Sequence, residues 1–302
     1  MLAPVLTPFD AQLRPDSRLF INHCRWLVDS GVSLAIFGTN SEAASLSVDE
    51  RIDLTEAILD AGIPAARLMP GTGACSITDA VTLSRHAVEA GASGILVLPP
   101  FFFKGVPEEG VFAYYSEIIE RVGSDKTRIY LYHIPQMTHV PITHSLIERL
   151  RSRYPTAIAG LKDSSGDWDN TRSILDAFAQ DGFDVFPASE STLTKALPLG
   201  AAGCISATAN VNPWGIRAMY DHWRTSAAPR LQNRADAVRQ IFQSLPMIPA
   251  MKAVMAEFAG VPSWAAVRPP LAGLTETAKA GLLASLAEVG FDMAGSANTQ
   301  EA

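Results

Sequence analysis

Short apolar runs recur at a nearly even interval along this 302-residue chain, and that recurrence constrains the fold more than any single motif does. The runs are Ala3–Thr7, Leu34–Gly38, Arg67–Gly71, Gly94–Pro99, Arg128–His133, Ala157–Lys162, Asp184–Ala188 and Gly203–Ala207. Each reads as a strand too apolar to leave one face in water, which is the pattern of a parallel sheet covered on both sides. A helix-like segment follows each run. Ser47-Val48-Asp49-Glu50 has the spacing of a capping box, and Ser76-Ile77-Thr78-Asp79 resembles one. Gly31, Gly62, Gly91, Gly123, Gly182 and Gly200 sit where a left-handed residue would close a helix. Eight alternations predict an α/β fold whose parallel sheet closes into a (β/α)8 TIM barrel. A doubly wound open sheet competes, but eight repeats favour closure, and no Gly-x-Gly-x-x-Gly follows the first strand. After about Thr225 the strand signal stops, and helices are predicted over Arg230–Leu245, Ala250–Phe258 and Glu276–Val289. Residues 1–224 are thus expected to form the barrel and 225–302 a C-terminal helical appendage, with a polar, frayed tail after Gly290.

Composition narrows the ligand. With 48% hydrophobic and 18% charged residues the chain fits a well-packed soluble enzyme. Its net charge of −7 is spread without a basic stripe, which argues against nucleic acid or an anionic membrane as partner. A small molecule is the expected ligand. Cys24, Cys75 and Cys204 are odd in number and far apart, as reduced thiols in a cytoplasmic protein would be. The first residues carry no basic and apolar stretch of a secretory signal, and the longest apolar stretch, Gly94 to Phe103, is well short of the ~20 residues a spanning helix needs. His133, His139 and His144 lie close in sequence but join no carboxylate cluster, so no metal site is expected. Signatures of serine hydrolases, zincins and P-loop enzymes are missing.

A barrel of this kind carries its chemistry at the C-terminal ends of its strands. Lys162 stands out there, ending the apolar run Ala157-Ile158-Ala159-Gly160-Leu161 before Asp163-Ser164-Ser165-Gly166. Burial disfavours an ammonium, and the free amine is the nucleophile of Schiff-base chemistry on a carbonyl. The alternative is a structural lysine paired with Asp163, but neighbours on a strand point to opposite faces. Tyr130 and Tyr132 share a strand face, as core residues or, for Tyr132, as a phenol able to carry protons near an imine. His133, pointing the other way, is expected to pack. Gly38-Thr39-Asn40-Ser41-Glu42 offers amides and hydroxyls to a carboxylate, and reads equally as an ordinary capped helix start. For Glu190 two readings stand, a ligand for substrate hydroxyls and a solvated rim charge.

Four segments together resemble the pyruvate-dependent class I aldolases, the family of dihydrodipicolinate synthase and N-acetylneuraminate lyase. They are Gly38-Thr39-Asn40-Ser41-Glu42, Tyr132-His133-Ile134-Pro135, Gly160-Leu161-Lys162-Asp163-Ser164-Ser165-Gly166 and Gly203-Cys204-Ile205-Ser206-Ala207-Thr208-Ala209-Asn210, and the likeness runs from Pro4 to Leu271. The resemblance implies that Lys162 forms the imine with pyruvate and that Tyr132 shuttles protons. It implies that Thr39 and Asn40 hold the pyruvate carboxylate and orient the tyrosine, and that the backbone of Ile205 lines the pyruvate pocket. It further implies a homotetramer, a dimer of dimers, working without a cofactor.

Two departures concern the second substrate. Where the synthases of this family carry an arginine after the tyrosine strand, this chain has Gln136-Met137-Thr138, and where they carry a tyrosine in the loop after the fourth strand it has Phe101-Phe102-Phe103-Lys104. The expected activity is therefore cleavage or formation of a 2-keto-3-deoxy sugar acid, or a related 4-hydroxy-2-oxo acid, from pyruvate and an aldehyde. Glu190 and the Phe101–Lys104 loop would face the variable end of the substrate. The alternatives are a 4-hydroxy-tetrahydrodipicolinate synthase, a dehydratase or deaminase that starts from the same imine, and a non-enzymatic barrel that only binds a 2-oxo acid.

Overall fold

Strands form in this chain where apolar residues can be covered on both faces, and a proline that removes a donor can cut them short. The computed structural model describes residues 1–293, and within it the chain divides into two compact units. The first gathers Met1–Leu34, Thr39–Ile63 and the chain from Ser206 on; the second gathers Ala35–Gly38 and Pro64–Ile205.

In the first unit β1 (Leu2–Ala3) pairs in parallel with β2 (Ser33–Leu34). Both are shorter than the runs Ala3–Thr7 and Leu34–Gly38 suggest. Pro4 cannot donate to a ladder, and the backbone beyond it is satisfied by a side chain instead. Asn210 accepts from Leu6 N–H at 3.0 Å and donates to the carbonyls of Pro4 at 3.0 Å and Ala207 at 2.9 Å. The capping box forms as expected, with Ser47 Oγ accepting from Glu50 N–H and Glu50 accepting from Ser47 N–H. Beyond residue 225 the helices are Ala228–Gln243, Met247–Ala259 and Glu276–Glu288, within two residues of expectation at most ends. The tail does not fray at once. Phe291 meets the rings of Phe242 and Phe258, and Met293 is buried, because these two side chains carry enough apolar area to dock; the rest of the expected tail lies outside the described residues.

The second unit holds a four-stranded parallel sheet in the order β3 (Ile95–Val97), β4 (Ile129–His133), β5 (Ile158–Asp163), β6 (Asp184–Pro187). On one face Val97, Leu131, Leu161 and Val185 pack against the helices Ile77–Glu89, Glu108–Val122, His144–Arg153 and Trp168–Phe178. The other face is built in layers by the register. Tyr130 lies opposite Gly160, which lies opposite Asp184; two residues further on, Tyr132 lies opposite Lys162, and Lys162 opposite Phe186. The lower layer closes around Tyr130. A Cβ on Gly94 or Gly160 would come within 2.5 or 2.8 Å of its ring, and its hydroxyl donates to Asp184 Oδ2 at 2.8 Å.

Two expected strands are absent as strands. Arg67 ends a 3-10 turn, Ala65–Arg67, and Pro70 has no N–H, so the Arg67–Gly71 run is held by isolated hydrogen bonds and a single bridge between Gly71 and Leu96 instead of a ladder: Ser93 N–H to Leu68, Gly71 N–H to Ile36, Thr72 N–H to Leu96 and Leu96 N–H to Pro70. Gly203–Ala207 is likewise irregular, with Ile205 N–H donating to Pro187 and Gly203 at a φ of 149°. The six glycines placed at helix ends all have positive φ. None of the described helices is long and apolar enough to cross a membrane.

Candidate active site

The layer above Tyr130 contains the chemistry. Lys162, on β5, is 2% exposed, and its Nζ donates to the hydroxyl of Tyr132 on β4 at 3.2 Å. The register explains the pairing, because the two residues are direct cross-strand neighbours on one face.

Asp163 takes no part in this pair. Its carboxylate accepts from Ser165 N–H at 2.9 Å, Asn170 Nδ2 at 3.0 Å and Thr171 Oγ1 at 2.6 Å, so alternation along β5 sends it to the helix Trp168–Phe178 and leaves Lys162 to face the tyrosine. His133 packs, as its position on the opposite face requires. Its Nδ1 accepts from Ile142 N–H at 3.1 Å, which fixes the neutral tautomer with the proton on Nε2. Burial lowers its pKa below the ordinary imidazole value, with the Asp163 carboxylate pulling the other way.

The strand ends are tied together by two backbone bonds and one from a side chain. Ser164 N–H donates to His133 at 2.7 Å, Ala188 N–H donates to Asp163 at 2.8 Å, and Gln136 Nε2 donates to the carbonyl of Ser164 at 2.6 Å. Just beyond the end of β5, Ser164 has a buried Oγ with no hydrogen-bond partner among the described residues.

Of the other residues singled out, Glu190 opens the 3-10 turn Glu190–Thr192 after β6 and is fully buried, which overturns the solvated-rim reading. Ser189 Oγ caps this turn, accepting from Ser191 N–H. Ile205 is 1% exposed, held by its N–H bond to Pro187. Thr39 and Asn40 are half-buried in the 3-10 turn Thr39–Ser41, where Thr7 Oγ1 donates to the carbonyl of Ser41 at 2.8 Å. Phe102 and Phe103 are exposed, edge to face at 5.4 Å, and Lys104 Nζ donates to the carbonyls of Phe101 and Thr138. Met137 is exposed.

What the arrangement can do is present an amine next to a phenol in a buried setting. That is the minimum for imine chemistry with an attached proton carrier.

Known proteins resemble this chain in sequence and in fold. The profile of the "Dihydrodipicolinate synthetase family" matches residues 1–289. An uncharacterized DapA-like lyase of Chloroflexus aurantiacus is 35% identical over 288 residues, covering 94% of this chain and 95% of the relative. Among solved structures, dihydrodipicolinate synthase of Agrobacterium tumefaciens superposes with a TM-score of 0.88 at 30% identity, over 95% of this chain and 98% of the other. A prophage protein of E. coli K12 belonging to the dihydrodipicolinic acid synthase family, solved in complex with pyruvate, gives 0.86 at 26% identity, over 96% and 98%. The fold class read from the sequence, a (β/α)8 barrel with C-terminal helices, stands on these likenesses.

Proposed function

The chain belongs to the dihydrodipicolinate synthetase family, and from that membership we propose a cofactor-free class I aldolase in which Lys162 forms an imine with pyruvate. The single observation that carries the proposal is the 3.2 Å contact from Lys162 Nζ to the Tyr132 hydroxyl at the C-terminal ends of adjacent parallel strands. The pyruvate found with the E. coli relative supports the choice of ketoacid.

In the cleavage direction the lysine amine attacks the keto carbon of a 4-hydroxy-2-oxo acid. Tyr132 delivers the proton that lets the carbinolamine lose water, leaving a protonated imine. The C4 hydroxyl then gives up its proton, the C3–C4 bond breaks, and its electron pair flows into the iminium to form an enamine while the aldehyde departs. Protonation of the enamine and hydrolysis return pyruvate and the free lysine. Thr39 and Asn40 are assigned the carboxylate, and the backbone of Ile205 the wall beside pyruvate. Glu190 is assigned the hydroxyls of the departing half, joined by Ser164, whose partnerless Oγ is a ready hydrogen-bonding group. The same reading includes a homotetramer, a dimer of dimers, in the cytoplasm, supported by the family resemblance alone.

The substrate is read as a 2-keto-3-deoxy sugar acid or a close 4-hydroxy-2-oxo acid. Met137 cannot pair with a second carboxylate, and the Phe101–Lys104 loop has no phenol. A 4-hydroxy-tetrahydrodipicolinate synthase is the second reading, favoured by the 30% identity to the A. tumefaciens enzyme. Steady-state assays separate them. We expect pyruvate release from 2-keto-3-deoxy sugar acids with a kcat/KM at least about 100-fold above that for condensing pyruvate with aspartate semialdehyde; the reverse order would replace the first reading with the second.

A further inference from the structure

A second lysine in this chain is buried, and the imine chemistry has no use for it. Lys252 sits mid-helix in Met247–Ala259, in the run Met247-Ile248-Pro249-Ala250-Met251-Lys252-Ala253-Val254-Met255, where it is the single charge among apolar neighbours. Its side chain and that of Glu42 are both fully buried, and the two form an ion pair through Lys252 Nζ and Glu42 Oε1. Lys252 Nζ also donates to the carbonyl of Ala266 at 2.7 Å and lies 4.3 Å from the centre of the Phe9 ring. The second carboxylate oxygen of Glu42 accepts from the backbone N–H of Arg268 at 2.9 Å. Arg268 is in turn anchored. Its guanidinium lies 4.7 Å from the centre of the same Phe9 ring and donates to Leu13 and Ser45 carbonyls at 2.8 and 2.6 Å and to the Glu50 carboxylate.

Glu42 is the residue that follows the turn Thr39–Ser41. It adopts φ 57° and ψ 33°, a left-handed conformation that a β-carbon makes costly, and its N–H closes the turn by donating to Thr39 at 3.1 Å. A strained backbone of this kind persists only where its surroundings hold it. Here the holding groups are Lys252 and the peptide of Arg268. Stability alone does not account for a buried ion pair, since desolvation offsets most of the Coulombic gain. That penalty is visible in Lys252, which burial lowers to about 8 from 10.5, with Glu42 pulling it back up and Arg268 pushing it further down.

We propose that Glu42 and Lys252 are positioning residues: their buried pair, seated on the C-terminal helix Met247–Ala259, locks the Thr39–Ser41 turn in the conformation that receives the carboxylate of the ketoacid. Neither residue touches substrate; they act through Thr39 and Asn40. The inference rests on the assignment of the carboxylate to that turn, and its test separates the two.

The test is a titration of pyruvate under borohydride, with the fraction of chain carrying a reduced pyruvate adduct read by intact mass. The wild type is expected to saturate at one adduct per chain. Glu42→Gln and Lys252→Met are expected to raise the half-saturating pyruvate concentration at least about tenfold while still reaching one adduct per chain, and Lys252→Arg, which keeps the cation, to stay within about threefold of wild type. A residue that only supports the fold would lower the melting temperature without this split. Half-saturation within twofold of wild type in folded Glu42→Gln and Lys252→Met overturns the proposal. Should the single variants fail to fold, the double variant Glu42→Met/Lys252→Met carries the test against the same limits of half-saturation, because replacing a buried ion pair whole by hydrophobic residues of similar volume is close to neutral for stability. A wild type that forms no adduct at any pyruvate concentration would instead sink the imine reading beneath it.

Discussion

At the scale of single residues, the division of labour between Lys162 and Asp163 decides what the lysine can do. Three donors hold the Asp163 carboxylate on the far side of β5, so the amine of Lys162 meets a neutral phenol instead of a neighbouring carboxylate. Tyr132→Phe keeps the ring and removes only the hydroxyl. It is expected to lower kcat by about 100-fold or more, the usual contribution of a positioned proton carrier, while trapped adduct still accumulates on long incubation; a kcat within threefold of wild type would assign the proton transfers elsewhere. Lys162, Tyr132 and the packing of His133 could be read in advance because strand alternation decides which side each side chain takes. Glu190 could not, since a glutamate after a strand looks the same in sequence whether its turn exposes it or buries it, as this one does. Lys252 was missed for a different reason. Its partner Glu42 lies 210 positions away, and no local pattern announces a pairing at that separation.

At the scale of elements, apolarity marked where backbone would be buried but not whether it would form a ladder. β4 and β5 match their runs closely because no proline interrupts their donors, and in β6 the proline, Pro187, falls only at the last residue of the strand. The runs containing Pro4 and Pro70 kept only fragments of strand pairing, and in the first of them a side chain does the work of a neighbouring strand. Asn210→Ala tests that role. It would leave the buried Leu6 N–H and the Pro4 carbonyl without partners, and each such orphaned group costs about 1–3 kcal/mol. A loss of about 3 kcal/mol or more in denaturant unfolding is expected, and a loss under 1 kcal/mol would mean that the backbone re-pairs without the amide. Glycine carried more information than its composition suggests. Gly160 cannot take a Cβ without approaching the Asp184 carbonyl to 2.2 Å, so the layer beneath Lys162 is tied to a residue that sequence reading treated only as part of a motif.

For the molecule as a whole, the even spacing of eight runs was enough to reach the fold class, and the likeness to family structures over 95% of the chain carries it. A buried histidine links the global stability to pH. His23 is wholly buried between Trp26 and Trp264, its Nε2 bonded to Asn210 Oδ1 at 3.0 Å, and burial lowers its pKa to about 4 from 6.5 despite that bond. Between these values the unfolded chain binds a proton that the folded chain does not, so this contribution is complete above pH 6.5 and is lost as the pH falls towards 4, about 3 kcal/mol in all. Urea unfolding from pH 7 to 4.5 is expected to show that loss in the wild type and a shallower one in His23→Gln; identical slopes would place the acid sensitivity in other groups. The central claim, that this chain works through an imine on Lys162, has a more direct test. Wild type and Lys162→Ala are each incubated with pyruvate and borohydride and weighed intact. One reduced pyruvate adduct on the wild type and none on the folded variant is the expected result. The claim is contradicted if the folded wild type gains no mass, or if the variant gains as much as the wild type.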